Sequence, residues 1–346
     1  MVKTQKRSGS SVNGGHNNNN TFLSNISSFV TSSFPTKTQK KKNDERSDGS
    51  IKKSDPFWGN IRCSPLSKRF DSRIPTCLSD SKVRVLAREW NKKYPQKTID
   101  LNTSTLIIWK LLRNNVSEGS DCGEKNEKCM ARKILGQSRF EKILGDDYVP
   151  EPPAEWKENP NAWLSGEDIT DVMEQYEKAY PCFSFIGPAP IDYYKRDSRG
   201  NCVWGTILCD ATIKQFIQQK KKKIGIIFNT DVHTGPGIHW VSLFMNLSSK
   251  DIIYFDSAGG KIPSEIERLV TRWTDEGKTL TPPITFKFHE NHPYVHQKEN
   301  TECGVYSLFV LIHLLEDRLR ISYLRGKGGV FGDSYMSRYR SIFWHE

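Results

Sequence analysis

The sequence predicts an α+β protein with helices first and a sheet-bearing core after them. Three observations carry that prediction. Runs rich in β-branched and aromatic residues are confined to the second half, at 182–187, 224–230, 239–247, 251–257 and 284–290, and are bounded by Gly, Asn or Pro. Apolar residues at helical spacing precede them over about 80–145. An almost wholly apolar run, Gly304–Leu315, follows them and reads as a buried helix. Strands mixed with helices, the most buried helix last, define an α+β domain over 155–346.

From the N-terminus, residues 1–55 are poor in apolar residues and hold ten Lys or Arg against four Asp or Glu. Of the net charge of +11, +6 therefore sits in this tail and +5 in the other 291 residues. Such a segment lacks the burial that offsets chain entropy, so a disordered basic tail is expected, with Phe22, Ile26, Phe29 and Val30 as a weak helical docking motif. A basic tail can contact nucleic acid or a virion core without sequence specificity, or simply act as a solubilising arm.

Residues 56–150 are expected to form a helical arm domain. "DSKVRVLAREWNKKY" places Val83, Leu86 and Trp90 on one face, with Ser81 as cap. "TSTLIIWKLLRNN" reads as an amphipathic helix bearing Leu106, Ile107, Trp109, Lys110 and Leu111 and ending at Asn114–Asn115. "CMARKILGQSRFEKILG" contributes two short helices, and Pro150, Pro152 and Pro153 mark a boundary. Beyond it, "NAWLSGEDITDVMEQYEKAYP" is a capped helix running into Pro181, and "SEIERLVTRWTDEG" is a helix between the last two strand runs.

No stretch approaches the roughly 18 apolar residues of a membrane span, so no transmembrane segment is expected. The eight cysteines are too sparse for a disulfide scaffold. The expectation is an intracellular, reducing setting in which most thiols, including Cys63, Cys77, Cys122 and Cys129, are unpaired and structural. His289, His292 and His296 have no carboxylate or cysteine at ligand spacing, so no metal is expected there. The run Lys220–Lys223 reads as a solvated face.

Cys303 stands where a polar loop, "YVHQKENTE", becomes the apolar helix. The unpaired N–H groups and dipole of a helix start stabilise a thiolate, which is the reactive form of cysteine. Gly304 would leave room for an approaching backbone. His239 opens one strand run and Asp256 closes the next, so a hairpin would join their tips. Asp256 would then hold the imidazole and His239 would face Cys303. Gln297, six residues before Cys303, can offer an N–H to an oxyanion beside the Cys303 backbone.

The order His239–Trp240, Asp256, Gln297, Cys303–Gly304 resembles the SUMO-protease and adenain-like cysteine protease superfamily. "WLSGEDI" resembles the segment that opens its protease domain. "NTDVHTGPGIHWVSLFMN", "YFDSAG" and "HQKENTECGVYSLF" are similar to the polyprotein-processing proteases of large DNA viruses, the asfarviruses among them. The resemblance covers most of 155–346 and faintly the arm around Cys122–Ile134. It implies a papain-like, adenain-like core, a central mixed β-sheet flanked by helices, with an N-terminal helical arm.

It also implies Cys303 as nucleophile, His239 as general base, Asp256 as its partner and Gln297 as oxyanion donor. At position 256 the asfarvirus pattern has Asn, whereas this chain keeps the Asp of the wider superfamily. Trp240 is implied to roof a slot narrow enough to admit only glycines, with core packing as the alternative. Polyprotein substrates cut at Gly-Gly-Xaa during virion maturation follow, with host cytoplasm and virion as the location and no cofactor. Deconjugation of a ubiquitin-like modifier is the second reading, and an acetyltransferase or a non-catalytic tether are more remote ones. DNA activation, as in adenoviral members, remains open. Gly14–Gly15–His16 in the tail is a candidate self-cleavage site, whereas Gly259–Gly260 and Gly328–Gly329 are expected to be protected by the fold.

Overall fold

The computed structural model describes residues 63–71, 74, 76–117, 122, 126–326 and 331–345. The expected tail with Gly14–Gly15–His16 lies outside these residues, as do Gly328 and Gly329. Helices α1 (Asp80–Lys93), α2 (Thr105–Ser117), α3 (Glu127–Leu135) and α4 (Gln137–Leu144) pack around an apolar cluster of their own that includes Leu86, Trp90, Trp109, Leu112 and Phe140. Ser79 caps α1, its Oγ accepting from the Lys82 N–H at 3.4 Å, whereas Ser81 already lies inside the first turn. The buried face of α2 is Ile108, Trp109, Leu112 and Val116, and Leu106, Ile107 and Leu111 are exposed. With apolar residues on both sides of the helix, spacing alone did not choose the face.

The thiols differ from expectation. Cys63–Cys77, Cys122–Cys129 and Cys202–Cys209 are disulfides, with Cα atoms 5.2, 5.6 and 6.2 Å apart. Only Cys182 and Cys303 are free. Local folding brings each pair into bridging range, which overrides the argument from overall cysteine density. The Pro150–Pro153 segment is bound on both sides: Lys128 Nζ donates to the Val149 carbonyl at 2.9 Å and the His345 N–H to the Pro150 carbonyl at 2.9 Å.

The rest is a sheet between two helical layers. After α5 (Gly166–Ala179) come strands β1 (Phe183–Phe185) and β2 (Ala189–Pro190), then α6 (Thr206–Asp210) and α7 (Ile213–Gln218). Strands β3 (Lys223–Asn229), β4 (Trp240–Asn246) and β5 (Asp251–Phe255) form an antiparallel meander, followed by α8 (Ser264–Thr279) and β6 (Lys287–Glu290). The sheet order is β1-β3-β4-β5-β6, with β2 also on β3; β1, β2 and β6 pair parallel, so the sheet is mixed. Helices α9 (Cys303–Leu315), α10 (Ile321–Leu324) and α11 (Asp333–Phe343) complete the chain.

Strand alternation sorts the two layers. Ile224, Ile226, Phe228, Val241, Leu243, Met245, Ile252 and Tyr254 face α7 and α8, joining Phe216, Leu269 and Trp273. Ile227, Phe244, Ile253 and Phe255 face the opposite layer, where every residue of α9 is buried. Burying a Leu or Phe side chain contributes about 1.5–3 kcal/mol, so the apolar α9 anchors this half of the core. Lys221 and Lys223 are not merely solvated: their ammonium groups donate to the Phe183 and Leu315 carbonyls, each at 2.7 Å. Among the described residues no helix is long and apolar enough to cross a membrane.

Candidate active site

The β4–β5 hairpin juxtaposes His239, just before β4, and Asp256, just after β5. His239 Nε2 lies 2.7 Å from Asp256 Oδ1. The carboxylate is itself fixed by the turn that follows. Oδ1 accepts the Ala258 N–H at 2.8 Å and Oδ2 the Gly260 N–H at 3.2 Å. A Cβ at Gly260 would come within 2.4 Å of Oδ2, so the turn needs glycine there. Asn291, fully buried, clamps the main chain of Asp256 from both sides. Its Oδ1 takes the Asp256 N–H at 2.8 Å and its Nδ2 donates to the Asp256 carbonyl at 2.7 Å.

Cys303 opens α9 and is buried, and it is near enough to bear electrostatically on the His239 imidazole. Burial alone would push the imidazole down. The hydrogen bond to Asp256, and the negative charges that Asp256 and Cys303 can carry, outweigh burial and push it up to about 10. An imidazole fixed by a carboxylate in the neighbourhood of a cysteine supplies the base that such a nucleophile needs.

Gln297 is buried against the turn that carries Asp256. Its Oε1 lies 2.6 Å from Ser257 Oγ, and its backbone N–H and that of His296 both donate to the Ser257 carbonyl at 2.9 Å. Trp240 is half-buried against the α9 layer, its Nε1–H donating to the Leu164 carbonyl at 2.9 Å. Leu164 also explains Gly304. A Cβ there would stand 2.9 Å from Leu164 Cδ1, so helix packing by itself calls for glycine at this position. Trp163, next to Leu164, is 46% exposed.

Sequence reasoning missed the residues that hold this arrangement. Glu302, the residue before Cys303, is buried and accepts Arg340 Nε at 3.1 and 2.9 Å on its two oxygens. Arg340 Nη2 also takes the Thr301 carbonyl at 3.1 Å, tying the loop before the cysteine to α11. A buried charge pair is strongly destabilising only when one partner is removed, so neither residue is replaceable alone. Nothing local in the sequence marks Arg340, whereas Ser257 was visible only as the neighbour of Asp256.

The three decoy histidines are held separately. His289 bonds Asp251 at 2.9 Å, His292 the Gly259 carbonyl at 2.8 Å and His296 the Leu324 carbonyl at 2.8 Å. Among the described residues, the one group with metal-ligand spacing is Cys202, Cys209 and Asp210, where both sulfurs are in a disulfide.

Comparison with known proteins bears on the family and the fold. The C-terminal catalytic domain of the Ulp1 protease family matches residues 168–325. A cysteine protease of African swine fever virus is 33% identical over 192 residues, covering 53% of this chain and 68% of that protein. A protein of Acanthamoeba polyphaga mimivirus named as a thiol protease is 28% identical over 274 residues, covering 73% of this chain and 84% of its own. The crystal structure of an African swine fever virus protease superposes with a TM-score of 0.57 at 18% identity, covering 82% of this chain and 97% of that one, which is a likeness of fold. The mixed sheet between helical layers and the sequence matches converge: this chain belongs to the Ulp1 protease family of cysteine peptidases.

Proposed function

We propose that Cys303, His239, Asp256 and Gln297 form the catalytic site of an endopeptidase that cuts polyproteins after Gly-Gly during virion maturation. The observation that carries this reading is the 2.7 Å bond of His239 Nε2 to Asp256, together with a buried cysteine, Cys303, at the first position of α9. The Cys303 thiolate attacks the carbonyl carbon of the second glycine, forming a C–S bond and an oxyanion. Gln297 Nε2 and the Cys303 backbone N–H hold that oxyanion. His239 delivers its proton to the leaving amine as the C–N bond breaks. Water, deprotonated by His239, then attacks the thioester, releasing the acid and restoring the thiol.

The substrate class rests on the entrance. Trp240 is pinned to Leu164, whose side chain packs on Gly304 next to Cys303, and a large flat ring at the entrance would favour a backbone without side chains. The viral origin of the matched cysteine proteases favours a polyprotein substrate and a location in host cytoplasm and virion. The helical segment and basic tail would then contact the virion core or nucleic acid, and Gly15–His16 is the proposed self-cleavage site.

A second reading, removal of a SUMO-like modifier, is favoured by the Ulp1 family match and by African swine fever virus relatives named as SUMO-1 cysteine proteases. The test is cleavage of a Gly-Gly-Xaa peptide beside a ubiquitin-like protein fused through its Gly-Gly tail, each with wild type and Cys303→Ala. Peptide cleavage lost in the variant, with the fusion left intact, is expected. Preferential cleavage of the fusion would replace polyprotein processing by deconjugation.

A further inference from the structure

The turn after β5 serves both halves of the site. Asp256 faces the imidazole, and the next residue, Ser257, turns inward to Gln297. Both Ser257 and Gln297 are buried, at 1% and 7% exposure, so their contact is shielded from competing water. The side-chain amide of Gln297 has two ends, and only the Nε2 end can stabilise an oxyanion. With the opposite orientation a carbonyl oxygen would face the developing negative charge and oppose the reaction.

The Ser257–Gln297 separation of 2.6 Å is that of an O–H···O hydrogen bond and is shorter than the roughly 2.9–3.0 Å typical of N–H···O. The hydroxyl therefore donates to Oε1. Gln297 Nε2 has no acceptor among the described residues and is not one of the buried unpartnered side-chain atoms, so that end is open to solvent and free to meet an incoming group. The Ser257 carbonyl additionally accepts the backbone N–H groups of His296 and Gln297, fixing where the glutamine side chain starts.

We infer that Ser257 is a positioning residue that locks the Gln297 amide with its N–H end toward the oxyanion, coupling the oxyanion donor to the strand end that carries Asp256. This rests on the reading of Gln297 as oxyanion donor, and the test separates the two. Steady-state cleavage of a Gly-Gly-Xaa peptide would be compared for wild type, Ser257→Ala, Gln297→Ala and the double variant. The rate of Cys303 alkylation by iodoacetamide, a reaction without an oxyanion, would be measured alongside.

Gln297→Ala is expected to lower kcat about 100-fold, the effect of losing one oxyanion donor. Ser257→Ala is expected to lower kcat about 10-fold with KM and alkylation rate within about twofold, because only the orientation of the donor is loosened. In the Gln297→Ala background, Ser257→Ala should cost less than about twofold more, since two residues acting through one contact are not additive. An equal loss in both backgrounds, a loss carried by KM, or a parallel fall in alkylation would overturn the positioning role. Wild-type kcat in Gln297→Ala would instead remove the oxyanion reading itself, and the inference with it.

Discussion

Two histidines six residues apart in the same stretch, His233 and His239, each pair with an aspartate, and the pairs differ in everything but their bond. His239 and Asp256 are 2.7 Å apart, and His233 and Asp192 are 2.8 Å apart. Asp192 also accepts the His233 backbone N–H at 2.8 Å and pairs with Lys195 at 3.1 Å. That pair ties the loop before His239 to the turn after β2 and touches no nucleophile. His239 has its aspartate and, near enough to bear on its imidazole, Cys303. A buried carboxylate on an imidazole is thus not a catalytic signature by itself. What distinguishes the two is the third group, brought in from a helix 64 positions along the chain from His239.

The comparison can be broken most directly at the sulfur. Cys303→Ala is expected to reduce kcat for a Gly-Gly-Xaa peptide by at least about 10⁴-fold while leaving the circular dichroism spectrum unchanged. Next comes the pair of histidines. His239→Ala should cost about 10³-fold or more in kcat/KM, and His233→Ala only about threefold, because the latter contacts no reacting atom. Equal losses in the two variants would erase the distinction drawn here.

Asp256→Asn is a finer probe. Asparagine still accepts from imidazole at one end, but its Nδ2 would then face the Gly260 N–H, now bonded to Oδ2 at 3.2 Å. Loss of the negative charge also weakens the imidazolium. A loss of about 10–100-fold in kcat/KM is expected, with the alkaline limit of the pH profile moved to lower pH. An unchanged alkaline limit would argue against Asp256 as the source of the raised imidazole.

The smallest effect concerns stability. His239 is pushed up from an ordinary 6.5 to about 10, so its contribution is fully present below about 6.5 and is lost as pH rises through about 10. Thermal unfolding of wild type should therefore move to lower temperature between pH 7 and 10 more than that of His239→Gln. Parallel curves would show that the ion pair adds nothing to the fold.

The parts legible in advance were those written in local pattern. The strands at 224–230, 239–247 and 251–257 follow from runs of β-branched and aromatic residues bounded by Gly, Asn or Pro, and the meander they form brings His239 to Asp256 with a short connection. Gly304 and the cysteine pairs were read less well. Gly304 answers to Leu164, a neighbour 140 positions earlier in the chain, and Cys63 meets Cys77 because of how the helical segment folds locally. Trp240 was equally ambiguous, and its hydrogen bond to Leu164 and its partial burial show the packing half of that alternative.

The sequence by itself determined the order of elements, the buried character of α9 and the identity of the residues with reactive chemistry, because periodicity and side-chain type are properties of the chain alone. Tertiary structure alone decided what Gly304 and Trp240 pack against, what anchors the Gln297 side chain and what holds the loop before Cys303. Those outcomes rest on contacts such as Arg340 with Glu302 and Ser257 with Gln297, made between positions 38 and 40 residues apart. Such pairs leave no periodic trace, and burial gives each hydrogen bond its weight only after the core has closed around it.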